Sequence, residues 1–292
     1  MDFLCVCVRI PKCGSTSLGN SLKFAFSDRR IFYLPHTLGH EAKLSPLQKL
    51  RFHRSQVRNL WAHYGTCDLA TACRHIEAWA LDGDLITGGH IDFPSVRANI
   101  GRRAKMITLF RDPATRCRSE YDYCRRTYLT KPLLWRFDSS PKHKIASRYS
   151  FEGYIDFLLE HTGTYGNLAA RYIGWDGKES LHGFFADHVF HSGVMEESGA
   201  FARGLGRKMG VPIHFPHDNR GKSAAMRIGI GERAKIARLY PQDFELYEWQ
   251  LARIRPEHAP ASVPANLRIS AQIAQGARFR QSMGGITASA GR

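Results

Sequence analysis

The segment of residues 8–18, VRIPKCGSTSL, places a lysine, a glycine and three consecutive hydroxyl side chains between an apolar stretch and a helical pattern. Backbone N–H groups at the start of a helix can converge on a phosphate, and a lysine adds a point charge. In the common nucleoside-triphosphate loop, GxxxxGK[ST], the lysine follows the second glycine, whereas here Lys12 precedes Gly14. We predict a phosphate loop of a different kind, with a capped strand-to-helix turn as the alternative. Its predicted binding residues are Lys12, Cys13, Gly14, Ser15, Thr16 and Ser17.

Residues 105–123, KMITLFRDPATRCRSEYDY, contain a second group of side chains suited to an anion. An apolar strand pattern ends at Arg111, Pro113 stands where a helix can begin, and Ser119 follows on that helix. A guanidinium fork and a hydroxyl can together hold one phosphate. Simple pairing of Arg111 with Asp112 is the alternative for the arginine alone. Two anion-binding strand ends in one sheet favour a second phosphate site.

The elements that must position these residues alternate between strands and helices. The near-continuous apolar run at residues 3–10 predicts a central parallel strand buried on both faces, and residues 16–26 predict a helix directly after the loop. Further strands are predicted at residues 84–92, 105–110 and 188–194, each followed by a helical pattern. The sequence therefore predicts an α/β fold with a mainly parallel central sheet flanked by helices. In such sheets, anions bind beyond the strand ends.

Composition limits the classes of partner. The formal net charge of +16 favours anionic partners, and no apolar stretch approaches the roughly 20 residues that span a bilayer. We therefore expect a cytoplasmic protein without stable membrane insertion. Seven cysteines without a disulfide-like spacing favour reduced thiols. The spacing of His63, Cys67, Cys73 and His75 fits no common zinc motif, so packing is favoured over metal binding for this group.

Two segments interrupt the alternation. Residues 130–149 mix prolines, serines and basic side chains and predict a long mobile loop, and residues 256–292 predict a weakly ordered tail after a domain at residues 1–255. Basic side chains around the predicted loop could bind an anionic glycan, with a solvated basic surface as an equal alternative. These side chains are Arg125, Arg126, Lys131, Arg136, Lys142, Lys144 and Arg148.

The two anion-binding segments carry a family resemblance. PKCGSTSL resembles the 5′-phosphosulfate loop of sulfotransferases, and FRDPATRCRSEYDY resembles their 3′-phosphate motif, R-[DN]-P-x-x-R-x-x-S. The similar branch includes the heparan sulfate 2-O-sulfotransferases and bacterial relatives. Looser likenesses follow at GNLAARYIG, SGVMEE and FPHDNRGKS, so the resemblance extends over about residues 3–254. It implies a P-loop-like three-layer fold that binds 3′-phosphoadenosine 5′-phosphosulfate, PAPS, without a metal.

The resemblance also implies roles for single residues. Lys12 matches the loop lysine that stabilises charge on the leaving nucleotide, and Lys222 lies in the segment that resembles a loop near the nucleotide. The segment GGHIDF places His90 at a predicted strand end, where an imidazole can act as base for the acceptor hydroxyl. A structural histidine is the alternative at that position. Weaker candidates for the base are His40, Glu41 and Glu77.

Sulfuryl transfer from PAPS to a carbohydrate hydroxyl is thus the favoured function. A P-loop nucleotide kinase or other phosphotransferase is the first alternative, although no aspartate is placed as an obvious magnesium partner for the loop. A non-catalytic polyanion-binding module is the second. Nucleic acid is disfavoured as a partner because the sequence contains no zinc-finger spacing, recognition-helix pattern or aromatic-rich signature.

Overall fold

A single sheet of five parallel strands forms the centre of the computed structural model, which describes residues 1–34, 69–137, 139–215 and 228–255. The strands lie in the order β2-β3-β1-β4-β5, and every adjacent pair is parallel. Their carboxyl ends therefore meet at one edge, with β1 between β3 and β4. The bounds are β1 Leu4–Val8, β2 Ile31–Leu34, β3 Leu85–Gly88, β4 Ala104–Phe110 and β5 Val189–Val194.

Helices cover both faces of this sheet in the described residues. They are α1 Ser15–Ala25, α2 Leu69–Trp79, α3 Phe93–Arg97, α4 Pro113–Thr130, α5 Leu133–Arg136, α6 Pro141–Arg148, α7 Phe151–Glu160, α8 Thr162–Tyr165, α9 Leu168–Ile173, α10 Leu181–His188, α11 Ser198–Met209, α12 Ile230–Leu239 and α13 Pro241–Ile254. A short 3₁₀ turn, Met195–Glu197, precedes α11.

All five residues of β1 are buried, because its alternate side chains enter two different cores. Val6 and Val8 pack on the face that contains α13, whereas Cys5 and Cys7 pack on the face that contains α1. Such two-sided burial explains why the strand reads as a continuous apolar run. A third apolar cluster holds α4, α6, α7 and α12 together beside the sheet.

The predicted α/β class with a mainly parallel, helix-flanked sheet is confirmed, and the four predicted strands and the helix after the loop are present. The strand β2 was not predicted. Its four residues, IFYL, are too short for a clear period, and three of them are only half-buried at the sheet edge.

The prediction of a long loop at residues 130–149 is wrong. Helices α5 and α6 fill most of it, and each has a proline at or next to its first residue, which suits a helix start. The helix α6 forms because Ile145 and the fully buried Ala146 join the third apolar cluster. Prolines that appeared to break structure therefore begin it. The predicted tail, residues 256–292, lies outside the described residues.

Within the part of the chain that is described, no helix is long and apolar enough to cross a bilayer.

We predict that Gly88→Ala lowers the free energy of unfolding by about 2 kcal/mol or more. Gly88 has φ 141°, and a Cβ atom there would lie 1.9 Å from the Leu34 carbonyl oxygen of β2. The control is Gly231→Ala, since a Cβ atom at that helical position meets no atom within 4 Å. The control should gain up to about 1 kcal/mol. Denaturant unfolding measures both, and equal midpoints would contradict the prediction.

Candidate functional site

The loop after β1 has an unusual backbone. Lys12 has φ 67° and Gly14 has φ 69°, so two left-handed residues flank the buried Cys13. The left-handed conformation costs a residue with a side chain roughly 1–2 kcal/mol, and such outliers cluster at ligand-binding sites. The strain at Lys12 is therefore a structural reason to look for a ligand at this loop.

The helix α1 begins at this loop with free donor capacity. Its N-cap, Gly14, has no side chain that could accept a bond from the first-turn N–H groups of Ser15, Thr16 and Ser17. The helix α4 differs, because its N-cap Asp112 accepts a hydrogen bond of 2.8 Å from the Thr115 N–H. The amino end of α1 is thus chemically suited to an anion.

Arg9 joins the loop after β1 to the start of α1 and to the end of β3. Its Nε donates to the Ser15 carbonyl at 3.0 Å, and its Nη1 donates to the Gly88 carbonyl at the end of β3. The sequence prediction did not include Arg9. The available signal was a charged residue immediately after an apolar central strand, where parallel sheets place ligand-binding side chains.

The two predicted phosphate-binding segments are adjacent. Arg111 follows β4, and its Nη1 donates to the Lys12 carbonyl at 3.2 Å. Ser119 lies half-buried on α4, two turns beyond Arg111. The strand order places β4 directly beside β1, so this juxtaposition follows from the sheet topology.

The Lys12 side chain lies against α4. Its Nζ is 3.6 Å from the centre of the Tyr123 ring, one helical turn beyond Ser119. Burial lowers the pKa of the Lys12 amine, whereas nearby Cys124 and Glu120 oppose that shift. Residues four apart share a helix face, so the Lys12 amine and the Ser119 hydroxyl lie on the same side of α4.

His90 lies on the other side of the loop. Its Nδ1 is 2.6 Å from the Arg9 carbonyl oxygen, which can only accept, so the Nδ1–H donates. In the neutral ring, the lone pair then resides on Nε2. The ring also meets Tyr172 edge-on, with 6.4 Å between centroids. The structure therefore brings His90 to the same loop as Lys12 and holds its ring there through Nδ1.

The weaker candidates for the base differ in position. Glu77 lies at the amino ends of the strands, where its Oε1 accepts a 2.6 Å hydrogen bond from the Arg102 N–H just before β4. The candidate site is at the carboxyl ends, so Glu77 is wrong as a candidate for the base. His40, Glu41 and the predicted nucleotide ligand Lys222 lie outside the described residues. So do His63 and Cys67 of the weighed zinc group, whose Cys73 is buried in the core.

Ion pairs between largely buried side chains connect α4 to α6. Arg116 is 1% exposed, and its Nη1 lies 3.6 Å from the Glu120 carboxylate. Lys142 of α6 also pairs with Glu120. Burial alone would lower the pKa of Lys142, but Glu120 outweighs it and the net shift is upward. For Lys142, glycan binding and a solvated surface were equal alternatives, and neither fits because its amine pairs with Glu120.

Asp112, which follows β4, is also engaged in contacts. Besides capping α4, Asp112 accepts a 2.8 Å ion-paired hydrogen bond from Arg233 of α12. Its backbone N–H donates to Glu196 at 3.2 Å, which ties the segment after β5 to the end of β4. Arg233 and Glu196 therefore enclose the Arg111 side of the site, although neither was predicted.

A cavity of about 630 Å³ lies elsewhere, along the outer edge of β5. Its lining includes Phe185, Trp249 and Arg253 but none of the predicted site residues. We assign the candidate site to the strand ends, because the predicted residues converge there.

Comparisons with known proteins complete the description. No protein-family model and no curated protein matches the chain. Among solved structures, the chain is similar to mouse sulfotransferase SULT7A1, crystallised in complex with PAP (3′-phosphoadenosine 5′-phosphate), at 13% sequence identity and a TM-score of 0.30. The match covers 81% of this chain and 62% of that protein. At this score the similarity decides nothing about activity, which is inferred below from the residues of this chain.

We predict that Lys142→Met lowers the free energy of unfolding by about 3 kcal/mol, because Glu120 loses a partner in a largely buried position. Lys144→Met on the same helix should change it by less than about 0.5 kcal/mol. Adding Glu120→Gln to Lys142→Met should recover part of the loss. Denaturant unfolding of the wild type, the two single lysine variants and the double variant measures the contribution of the Lys142–Glu120 pair to stability. Similar midpoints for the two single lysine variants would contradict the prediction.

Proposed function

We propose that the protein transfers a sulfuryl group from PAPS to a hydroxyl group of an acceptor. The observation that carries the proposal is the bond from Arg111 to the Lys12 carbonyl, which joins two anion-binding strand ends into one site. The two segments are those that resemble the 5′-phosphosulfate and 3′-phosphate motifs of sulfotransferases. A ligand with two separate anionic groups fits such a site better than a linear triphosphate does.

The donor set suits PAPS. The uncapped N–H groups of α1, with the hydroxyls of Ser15 and Thr16, would hold the 5′-phosphosulfate. Arg111 and Ser119 would hold the 3′-phosphate. When bound, PAPS supplies an activated sulfuryl group. Lys222, predicted as a further nucleotide ligand, remains a prediction because it lies outside the described residues.

The state of Asp112 favours this proposal over a P-loop kinase. A kinase-type site needs a carboxylate that holds magnesium beside the phosphates. Asp112, which directly follows β4, already caps α4 and pairs with Arg233. We therefore expect PAP, the desulfated nucleotide, to bind without a metal.

The side chains divide the chemistry between them. The Lys12 amine would stabilise negative charge on the leaving phosphate, and a pKa lowered by burial makes it a better proton donor to that oxygen. His90 would accept the acceptor proton on Nε2, because its Nδ1–H is held by the Arg9 carbonyl. Lys12 belongs to the loop after β1, and the bond from His90 to the Arg9 carbonyl holds the imidazole to the same loop.

We propose a carbohydrate hydroxyl as the acceptor, and an anionic glycan in particular. The support is the net charge of +16 and the exposed Arg126, whose charge acts on the Lys12 amine, together with the exposed Arg125 and Arg148 on α4 and α6. A cytoplasmic location also remains a prediction.

Calorimetry with PAP, AMP and ATP plus magnesium tests the nucleotide. PAP should bind more tightly than AMP by about 1.5 to 3 kcal/mol, because the 3′-phosphate gains charge-assisted bonds. Arg111→Ala should reduce PAP binding far more than AMP binding. Arg103→Ala is the control, since Arg103 is 59% exposed and pairs with Asp2 at the amino ends of the strands, on the side of the sheet away from the candidate site.

Equal affinity for PAP and AMP would contradict the assignment of the 3′-phosphate site. Preference for ATP with magnesium would favour the kinase alternative. Binding of heparin without any nucleotide binding would favour the polyanion-binding module.

Substitution of Lys12 and His90 separates their roles. Each alanine variant should reduce turnover by about 10² to 10⁴, measured as transfer of labelled sulfate from PAPS. His90→Ala should keep near-normal PAP affinity, because a base contacts the acceptor. Lys12→Ala should weaken PAP binding as well. Full activity of His90→Ala would move the base to another residue.

A further inference from the structure

The turn between α4 and α6 exposes an unusual amount of apolar surface. We call residues 129–137 the arm tip. Its large apolar side chains are exposed to the extent of 51% for Leu129, 69% for Leu133, 82% for Leu134, 56% for Trp135 and 77% for Phe137. Single exposed apolar residues are common, but five within nine positions form a patch of the kind that marks an interaction site.

The arm tip has a fixed shape. Arg136 donates from Nε to the Lys131 carbonyl at 3.1 Å and from Nη2 to the Leu129 carbonyl at 2.8 Å. Lys131 in turn donates to the buried Ser139 hydroxyl at 3.2 Å. These bonds satisfy backbone carbonyls internally and leave the apolar side chains outside. Backbone satisfaction of this kind is what an apolar medium requires.

The arm tip lies at the end of α4 that is farther from β4. His143, near the start of α6, packs edge-on against Tyr123 of α4, and α4 continues for seven residues beyond that contact. At 1.5 Å per residue, the tip extends about 10 Å further. Among the described residues, the tip therefore lies beyond the third apolar cluster along α4, where an extended flat surface can contact it.

Charge selects among the surfaces that could cover the tip. Residues 122–138 contain four basic side chains, Arg125, Arg126, Lys131 and Arg136, and two acidic ones, Asp122 and Asp138, so the segment has a net positive charge. A second copy docked tip to tip would bring these cations together, which is unfavourable. An anionic lipid surface offers both negative charge and an apolar layer beneath it.

We propose that the arm tip is a membrane-binding element that inserts into the interface of an anionic lipid bilayer. Leu133, Leu134 and Phe137 enter the boundary between headgroups and acyl chains, and Trp135 lies at headgroup depth. Arg125 and Arg126 contact anionic headgroups. The proposal uses none of the nucleotide-site residues. It shares Arg125 and Arg126 with the surface proposed above for an anionic acceptor, and the variant used to test it leaves both in place.

Co-sedimentation with vesicles tests it, using phosphatidylcholine alone and phosphatidylcholine with about one third phosphatidylserine. The wild-type protein should bind the anionic vesicles at least about tenfold more tightly than the neutral ones. The variant Leu133→Ser/Leu134→Ser/Phe137→Ser should lose at least about tenfold of that binding. The matched control is Phe24→Ser/Leu81→Ser/Ile230→Ser, whose targets are 65%, 59% and 92% exposed elsewhere on the surface.

A second measurement compares the wild-type protein with Trp135→Phe. Brominated lipids should quench Trp135 fluorescence, and Trp135→Phe should remove most of that quenching. Equal vesicle binding by the tip variant and the control, absence of wild-type binding, or equal binding to neutral vesicles would overturn the proposal. A dimer in solution that the tip variant dissociates, together with no vesicle binding, would show instead that the tip joins two copies. PAP affinity is measured separately, so failure of the nucleotide assignment leaves this result interpretable.

Discussion

The backbone carbonyls of the loop after β1 are the point on which the candidate site depends. The Arg9 carbonyl accepts from His90, the Lys12 carbonyl accepts from Arg111, and the Ser15 carbonyl accepts from Arg9. This arrangement requires β1 to lie between β3 and β4, with all three strands parallel. Because carbonyl groups have fixed directions, the loop sets the orientation of side chains contributed by three strands. The left-handed Lys12 is part of that geometry, and its strain is offset by the surrounding contacts.

A second layer of organisation is electrostatic. Glu120 lies between Arg116 and Lys142 and also acts on Lys12. One carboxylate on α4 therefore balances cations from the interior, from α6 and from the loop after β1. Removal of a partner would leave charge in a poorly hydrated place, so α6 is held against α4 by more than apolar packing. The position of the arm tip and the charge around the loop after β1 are thus linked through a single helix.

The sequence was informative where one local pattern determines the structure. Apolar runs predicted the central strands, and the residue types around Lys12 and Arg111 predicted that these strand ends would meet. It was less informative for contacts between distant residues. Nothing local shows that Lys142 pairs with Glu120, 22 positions away. A proline near α5 or α6 is compatible with either a loop or a helix start. For α6, the burial of Ala146 in the fold favours the helix, and the sequence alone does not show that burial. Arg9 was overlooked because its partners, Ser15 and Gly88, are fixed by the tertiary fold.

The length of α4 has a geometric consequence. Its 18 residues form one rigid rod of about 27 Å, with Arg111 just before one end and the arm tip just after the other. The Lys12 amine lies against Tyr123, seven residues before the last residue of this helix, so about 10 Å of rigid helix separates the candidate site from the arm tip. Under the two proposals above, an acceptor must extend that far from the lipid surface to meet the site. An acceptor hydroxyl anchored too close to the surface would remain below the site, and one presented on a longer chain would meet it.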